Sequence, residues 1–490
     1  MSERTEAPEV ADPILDEVRR FYEGHHDGIE ASRRKHLYFH DYLTRILRVR
    51  VPEGLRVLDL GCGSGHALAA LKPSLGVGID ISAPAVRTAR ELYGSETLRF
   101  IEGDVADPTV LAQAGGPFDV ILLVNVVTHL TDVQATLEAL QAVSHSRTRV
   151  LIYSYSRLWQ PFLRLGEMLG VKYRQPPEAW LPPEEIKNML SLADFEVVRD
   201  DAHILAPLWF PLVSNLLNRY IGRLPIMDLF SLMFGIIARP APARTVAERP
   251  ARPTVSVVIP CRNEAGHIRP LVDRLPDLPA GSECLFVEGG STDDTEDVIR
   301  QVMAERPDRP FRLLKQPGRG KGDAVRYAFA QARADIVLIL DSDMGVAPED
   351  VPKFVSALAR GKGEMANGSR MVYPMEGRAM RFLNLLANKT FALLFTWLLG
   401  QQVRDTLCGT KVLWREDYER IAANRSYFGD FDPFGDFDLL FGASRLNLRI
   451  VDVAVRYHER QYGDTNISRF RHGLLLLQMS GFAARKLKFL

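Results

Sequence analysis

One pattern starts twice in this chain. On each side of Arg239–Pro253 (RPAPARTVAERPARP), a β-branched apolar run ends in a glycine-rich or polar turn, a helix-like stretch follows, and another apolar run begins. Such alternation folds as a largely parallel sheet covered by helices, because parallel neighbours need a long crossover between them. Two series in 490 residues exceed one ordinary core. The expectation is therefore two α/β domains: residues 1–238, an extended Pro/Ala/Arg linker over 239–253, and residues 254–490. Ligands of such sheets bind beyond the carboxyl ends of the strands, so chemistry is sought in the loops that follow them.

Composition narrows the classes. Lys plus Arg and Asp plus Glu both number 61, so the formal charge is zero, without the basic excess of a nucleic-acid binder. Cys62, Cys261, Cys284 and Cys408 are scattered, with no metal-ligand or disulfide spacing. The N-terminal MSERTEAPEVADPILDEVRR is polar and acidic, and no run reaches the roughly 18 apolar residues of a spanning helix. The expected location is the cytoplasm, with peripheral contact to the inner membrane face left open.

In the first half, the strand RVLDL (Arg56 to Leu60) carries Asp59 and runs into GCGSG, with Gly61, Gly63 and Gly65. Glycines there let the backbone turn sharply and approach a ligand. GVGID ends in Asp80, placed to accept ribose hydroxyls. LRFIEGD ends in Asp104, placed for an adenine amine, and FDVILLVNVVTHL carries Asn125 and His129 over the same edge. The glycine spacing is GxGxG and not GxGxxG, which argues against a nicotinamide dinucleotide. From about Leu55 to Leu140 this region resembles the class I methyltransferases. The resemblance implies a Rossmann-like fold that holds S-adenosylmethionine through Asp59, Gly61, Gly63, Gly65, Asp80, Asp104 and Asn125. A hydroxyl acceptor needs a base, and His129 either serves as one or caps and packs. VNVVTHL lacks the tetrapeptide of nucleic-acid amino-methyltransferases and looks like the small-molecule type. The acceptor is assigned to Phe21–Leu43 and Tyr153–Asp201, which follow no pattern that names it.

In the second half, TVSVVIPCRNE, ECLFVEGGSTDDT, LLKQPGRGKGDAVRYAF and ADIVLILDSDMG follow in order. The last strand emerges into Asp341-Ser342-Asp343, two carboxylates able to present oxygens to one hard cation. These elements resemble the family 2 glycosyltransferases of GT-A fold, from about Val255 onward. The resemblance implies inverting transfer from a nucleotide-diphosphate sugar with Mg²⁺ or Mn²⁺. It places Pro260, Glu264 and Glu288 beside the nucleotide, and Asp341 and Asp343 on metal and ribose. Arg319 and Lys321 are either near the diphosphate or a solvated basic turn. The family's usual pair of aspartates is Glu288-Gly289 here, so the base (uracil, guanine or thymine) stays open. Asp436 falls where the catalytic base stands in many members, or else caps a helix, and Asp405 matches an acceptor-side position of the polyprenyl-phosphate members.

Arg378–Gly400 and the C-terminal HGLLLLQMSGFAARKLKFL resemble the interfacial helices of dolichyl-phosphate mannosyltransferase-like enzymes, or pack in the core. The tail carries Arg460, Arg469 and Arg471, but Asn466 stands where that group usually has Lys. The combined expectation is a bifunctional enzyme. It glycosylates a glycan or polyprenyl-phosphate (lipid-linked) acceptor and methylates a small molecule or glycan. The alternative is a polyprenyl-phosphate glycosyltransferase with a non-catalytic methyltransferase-like module.

Overall fold

The computed structural model describes residues 13–176, 178–373, 382–427, 437–457 and 469–489. The chain divides into two compact units, Met1–Ala241 and Pro242–Leu490.

The first unit is built on seven strands: β1 (Arg56–Leu60), β2 (Leu75–Asp80), β3 (Leu98–Glu102), β4 (Phe118–Val124), β5 (Ser144–Tyr155), β6 (Phe195–His203) and β7 (Met233–Pro240). Their order is β3-β2-β1-β4-β5-β7-β6, with β7 antiparallel to both neighbours and every other pair parallel. This is the Rossmann-like class I methyltransferase fold. Strands β1, β2 and β4 are apolar on both faces (Leu58, Val77, Ile121 and Leu123 are buried), as a sheet sandwiched by helices requires. The chain steps from β1 outward to β3 and then returns to β4 on the other side of β1. That reversal opens a crevice between β1 and β4 at their carboxyl ends. Two N-terminal helices, α1 (Pro13–Lys35) and α2 (Leu37–Arg50), precede the sheet.

The second unit repeats the plan with β8 (Val255–Cys261), β9 (Glu283–Glu288), β10 (Phe311–Lys315), β11 (Ile336–Ile339), β12 (Met365–Ser369), β13 (Lys411–Trp414) and β14 (Ile450–Ala454). Their order is β10-β9-β8-β11-β13-β12-β14, with β13 antiparallel to β11 and β12. This is the GT-A arrangement, and β8 to β11 form its nucleotide half.

The expected extended linker is not extended. Arg239 and Pro240 close β7, where Arg239 is buried and donates to Glu196, and Pro242–Glu248 is helical. A strand edge and a helix take up the backbone hydrogen bonds that a polar linker would leave to water.

The two apolar segments expected either at a membrane interface or in the core are helices with one face in the core. Phe382–Leu399 buries Ala392, Phe395, Leu398 and Leu399, and leaves Leu386 and Leu393 exposed. Arg469–Leu487 packs against it, burying Met479, Ala483 and Leu487. Among the described residues no helix is long and apolar enough to cross a membrane. Arg378, Arg460, Asn466 and Asp436 lie outside the described residues.

Candidate functional site

In the first unit, Gly61, Gly63 and Gly65 all take positive φ (73°, 51° and 76°), which is why this turn is glycine-rich. A Cβ on Gly61 would collide with Val126 and one on Gly65 with Phe100, whereas one on Gly63 would stand in open space. Gly63 therefore lines the crevice while its neighbours close the turn. Asp80 braces the turn, accepting the Gly63 N–H at 2.7 Å and the Ser82 N–H at 2.9 Å. Burial raises its carboxyl above the ordinary range. A carboxylate has about four acceptor positions, so two remain for a ligand. Asp104 accepts from Ala106 N–H and lines the same crevice.

Asn125 follows β4 with φ 54°, a left-handed residue at the sheet's carboxyl edge, and its Oδ1 is buried without a hydrogen-bond partner. Strained residues of this kind collect at ligand sites. The crevice encloses about 840 Å³, open mouth included, from Asp80 and Asp104 past Gly63 to Asn125. The open cradle at Gly63, the free positions on Asp80 and the orphaned amide fit a bound nucleoside. Asp59 stands behind the turn, almost fully buried, and burial followed by the charge of Asp80 lifts it to about 7.

His129 is held neutral. Burial, then the Lys172 charge, lowers it to about 4. Its Nε2 lies 3.0 Å from Tyr22 Oη and 3.8 Å from Glu178, while Nδ1 has no partner. Tyr22 and Glu30 lie in the stretch 21–43 assigned to the acceptor but were not singled out there; Glu30 accepts from Ser64 Oγ (2.7 Å) and pairs with His66. The His66 hydrogen bond, then that of Ser64, holds Glu30 at about 2. Both lie on α1, where Val18, Tyr22, His26, Ile29 and Glu30 form one face over the crevice. Their spacing of three and four residues was the available signal.

In the second unit, Asp341 lies just past β11, and its Oδ1 is 2.7 Å from Lys321 Nζ. Asp343 Oδ1 accepts the Gly345 N–H, and Ser342 Oγ donates to Pro260 O, tying the acidic turn to the end of β8. Gly409 was not singled out by sequence. A Cβ there would fall 2.0 Å from Asp341 Oδ2, so only glycine leaves this carboxylate its place. Both aspartates are partly exposed at a strand end, and their hard oxygens fit Mg²⁺ or Mn²⁺. Among the described residues no group of three metal-ligating side chains forms.

Lys321 is thus brought to the acidic turn, whereas Arg319 is exposed in the loop before it. Glu288 is buried and accepts the Ser291 N–H. Glu264 is buried, its Oε2 2.6 Å from His267 Nδ1. The absent second aspartate has a physical counterpart: a Cβ at Gly289 would stand 2.9 Å from Gln316 Oε1. Gln316 occupies that wall, its Nε2 donating to Gly320 O and Asp323.

Asp405, matched by the resemblance to an acceptor-side position, stands in the structure as a buried anchor. It is fully buried and accepts five hydrogen bonds, from Arg370 N, Nε and Nη2, Asn388 Nδ2 and Leu407 N. Despite its burial, the Arg370 charge and hydrogen bonds hold it at about 2, too acidic and too enclosed to take a proton from an acceptor. It fixes Arg370, whose guanidinium lies 5.0 Å over the Tyr457 ring, and that ring borders Gly345 beside Asp343.

Each unit is a doubly wound α/β fold with an acidic pair at its topological switch point, the class to which many group-transfer enzymes belong. Comparison with known sequences specifies the two halves: residues 31–200 match the family model "Methyltransferase domain" and residues 256–421 match "Glycosyl transferase family 2". The chain therefore carries a methyltransferase domain followed by a family 2 glycosyltransferase domain. It is 28% identical to glycosyltransferase AglD of Haloferax volcanii, over 48% of this chain and 38% of that protein. It is 25% identical to the dolichol-phosphate mannosyltransferase of Pyrococcus furiosus, over 48% of this chain and 67% of that one. The chain thus spans little more than a third of the first relative's length. A solved magnesium protoporphyrin IX methyltransferase of Synechocystis with bound SAH overlaps 46% of this chain and 100% of its own, at 18% identity and TM-score 0.32.

Proposed function

We propose that the chain is a bifunctional transferase. The C-terminal unit transfers a sugar with inversion from a nucleotide-diphosphate donor to a glycan or polyprenyl-phosphate acceptor. The N-terminal unit methylates a small molecule or glycan with S-adenosylmethionine. The observation that carries this reading is that each sheet, at the same switch point, sets an acidic pair at its edge. One pair is Asp80 and Asp104 beside the open Gly63 cradle, the other Asp341 and Asp343 beside Lys321.

A divalent cation held by Asp341 and Asp343 supplies charge neutralisation of the diphosphate leaving group. Lys321 adds a second positive charge there. Gln316 and Glu288 frame the base side, and Asp436 is retained as the base for a hydroxyl acceptor. A phosphate acceptor, already anionic, needs none. In the N-terminal unit, bound S-adenosylmethionine supplies an electrophilic methyl group. Asp80 and Asp104 hold its nucleoside, and the acidic Asp59 and Glu30 suit its ammonium end. Neutral His129 accepts the proton of a hydroxyl acceptor, with Tyr22 fixing the ring.

The reading is tested by calorimetry with S-adenosylmethionine and by sugar-transfer assays with Mn²⁺. Asp343→Ala abolishes sugar transfer and leaves S-adenosylmethionine affinity intact. Loss of both in a folded protein refutes two independent sites. Binding of S-adenosylmethionine without turnover on any glycosylated product favours the non-catalytic module.

A further inference from the structure

A second, larger cavity opens behind the methionine end of the crevice. It measures about 1780 Å³, mouth included, and shares Glu30, Gly61, Gly63, Ser64 and Asn125 with the crevice. A ligand there meets whatever the nucleoside crevice presents at that shared wall. The walls are mainly apolar and aromatic, with Phe39, Leu43, Leu47, Tyr155, Trp159 and Phe162 among them. Polar side chains, among them Arg33, His36, His40, Thr44 and Gln175, interrupt these walls and can serve a polar head, while the apolar stretch suits a tail.

The mouth does not end in a polar rim. Phe162 and Leu208 line the cavity and are also exposed, Phe162 by 62%. They continue into Leu165, Met168, Leu169, Trp209, Phe210 and Leu212, with Met168 at 83% and Leu212 at 85% exposure. The helix Gln160–Met168 and the segment 207–230 that carry them are tied together where Trp159 Nε1 donates to Phe230 O at 2.8 Å. A contiguous apolar surface of this kind marks an interaction site. Its exposed charges are mostly positive: Arg157, Arg164, Arg174 and Arg219, against Asp228. Apolar side chains within a cationic fringe suit an anionic lipid surface.

We infer that this cavity is the methyl-acceptor site, that its acceptor is an amphiphile with an apolar tail, and that the Leu165–Leu212 rim docks on an anionic lipid surface from which the acceptor enters. The inference rests on the methyltransferase reading and names that site's substrate class. The tail fills the space between Leu43 and Phe162, and the polar head reaches Asn125, whose buried Oδ1 lacks a donor. A hydroxyl or amine head provides one. In transfer, the head's heteroatom bonds to the methyl carbon, the carbon–sulfur bond breaks with its pair kept by sulfur, and the head's proton is lost to His129 or water.

The test uses the full chain saturated with S-adenosylhomocysteine, cis-parinaric acid as a soluble tail probe, and vesicles of phosphatidylcholine with or without phosphatidylglycerol. One parinaric acid binds per chain. Leu43→Trp and Leu163→Trp, which fill the cavity, each weaken it roughly tenfold with S-adenosylmethionine affinity unchanged. Met168→Asp/Leu212→Asp loses binding to the phosphatidylglycerol vesicles yet keeps parinaric acid in solution. Intact S-adenosylmethionine binding without parinaric acid binding overturns the inference alone, whereas absent S-adenosylmethionine binding overturns the reading beneath it. Equal binding to neutral and anionic vesicles, or a dimer that Met168→Asp/Leu212→Asp dissolves, overturns the lipid-surface assignment.

Discussion

Lys321 Nζ stands 2.7 Å from Asp341 Oδ1, while the space beside Oδ2 is kept clear only because residue 409 is glycine. A lysine from the turn after β10 and a carboxylate from the end of β11 thus meet where a diphosphate is proposed to lie. The lysine pairs with one oxygen, and the other faces Gly409. Lys321→Met should weaken uridine or guanosine diphosphate binding in Mn²⁺ by roughly tenfold, as loss of a charge-assisted contact does. Gly409→Ala should remove it in a folded protein. Thermal stabilisation by each nucleotide checks both.

Gly289 and Gln316 make a second pair. Because Gln316 Oε1 fills the place where a side chain at 289 would begin, Gly289→Asp alone should weaken every nucleoside diphosphate. Gly289→Asp with Gln316→Ala should restore binding and shift the preference among uridine, guanosine and thymidine diphosphates. Dissociation constants for the three decide it. An unchanged preference would remove both residues from base reading.

Asp405 should behave as an anchor. Asp405→Ala leaves Arg370 charged and buried, so it should cost roughly 3–5 kcal/mol in urea unfolding. A folded-state value of about 2 against an ordinary 3.8 means that the pair's contribution is present above pH 3.8 and is lost as pH falls through 2. A variant of undiminished stability that is dead in sugar transfer would return Asp405 to catalysis.

The N-terminal unit should weaken on acidification. Burial is the leading cause that lowers His40, His129 and His203 to about 4, from an ordinary 6.5. Between pH 6.5 and 4 the unfolded state binds more protons at these sites, so their contribution is full above 6.5 and is lost as pH falls through 4. Asp59 opposes them. Raised to about 7 from 3.8, its contribution is full below 3.8 and lost as pH rises through 7. Urea unfolding at pH 7.5 and 5 should show a net loss at pH 5, and Asp59→Asn should make that loss steeper.

Local pattern carried much of this molecule. Apolar runs, their turns and the helices between them depend on neighbours in sequence, so β1 to β4 and β8 to β11 were legible, and the acids after them too. Asp80, Asp104, Asp341 and Asp343 needed only the rule that ligands sit beyond carboxyl ends. The linker was misread because its Pro and Ala content says nothing about the β6 edge that Arg239 joins.

What the sequence determined by itself was the pair of α/β folds and the strand tips that bear chemistry, because period and turn chemistry are short-range. The tertiary structure alone decided that Asp405 is sealed by Arg370, that Gln316 stands against Gly289, and that α1 brings Tyr22 and Glu30 over the crevice. It alone also joined Phe39, Tyr155 and Phe162 into one cavity. These contacts span tens to more than a hundred residues, and their partners are chosen by packing, which no local window of the chain encodes.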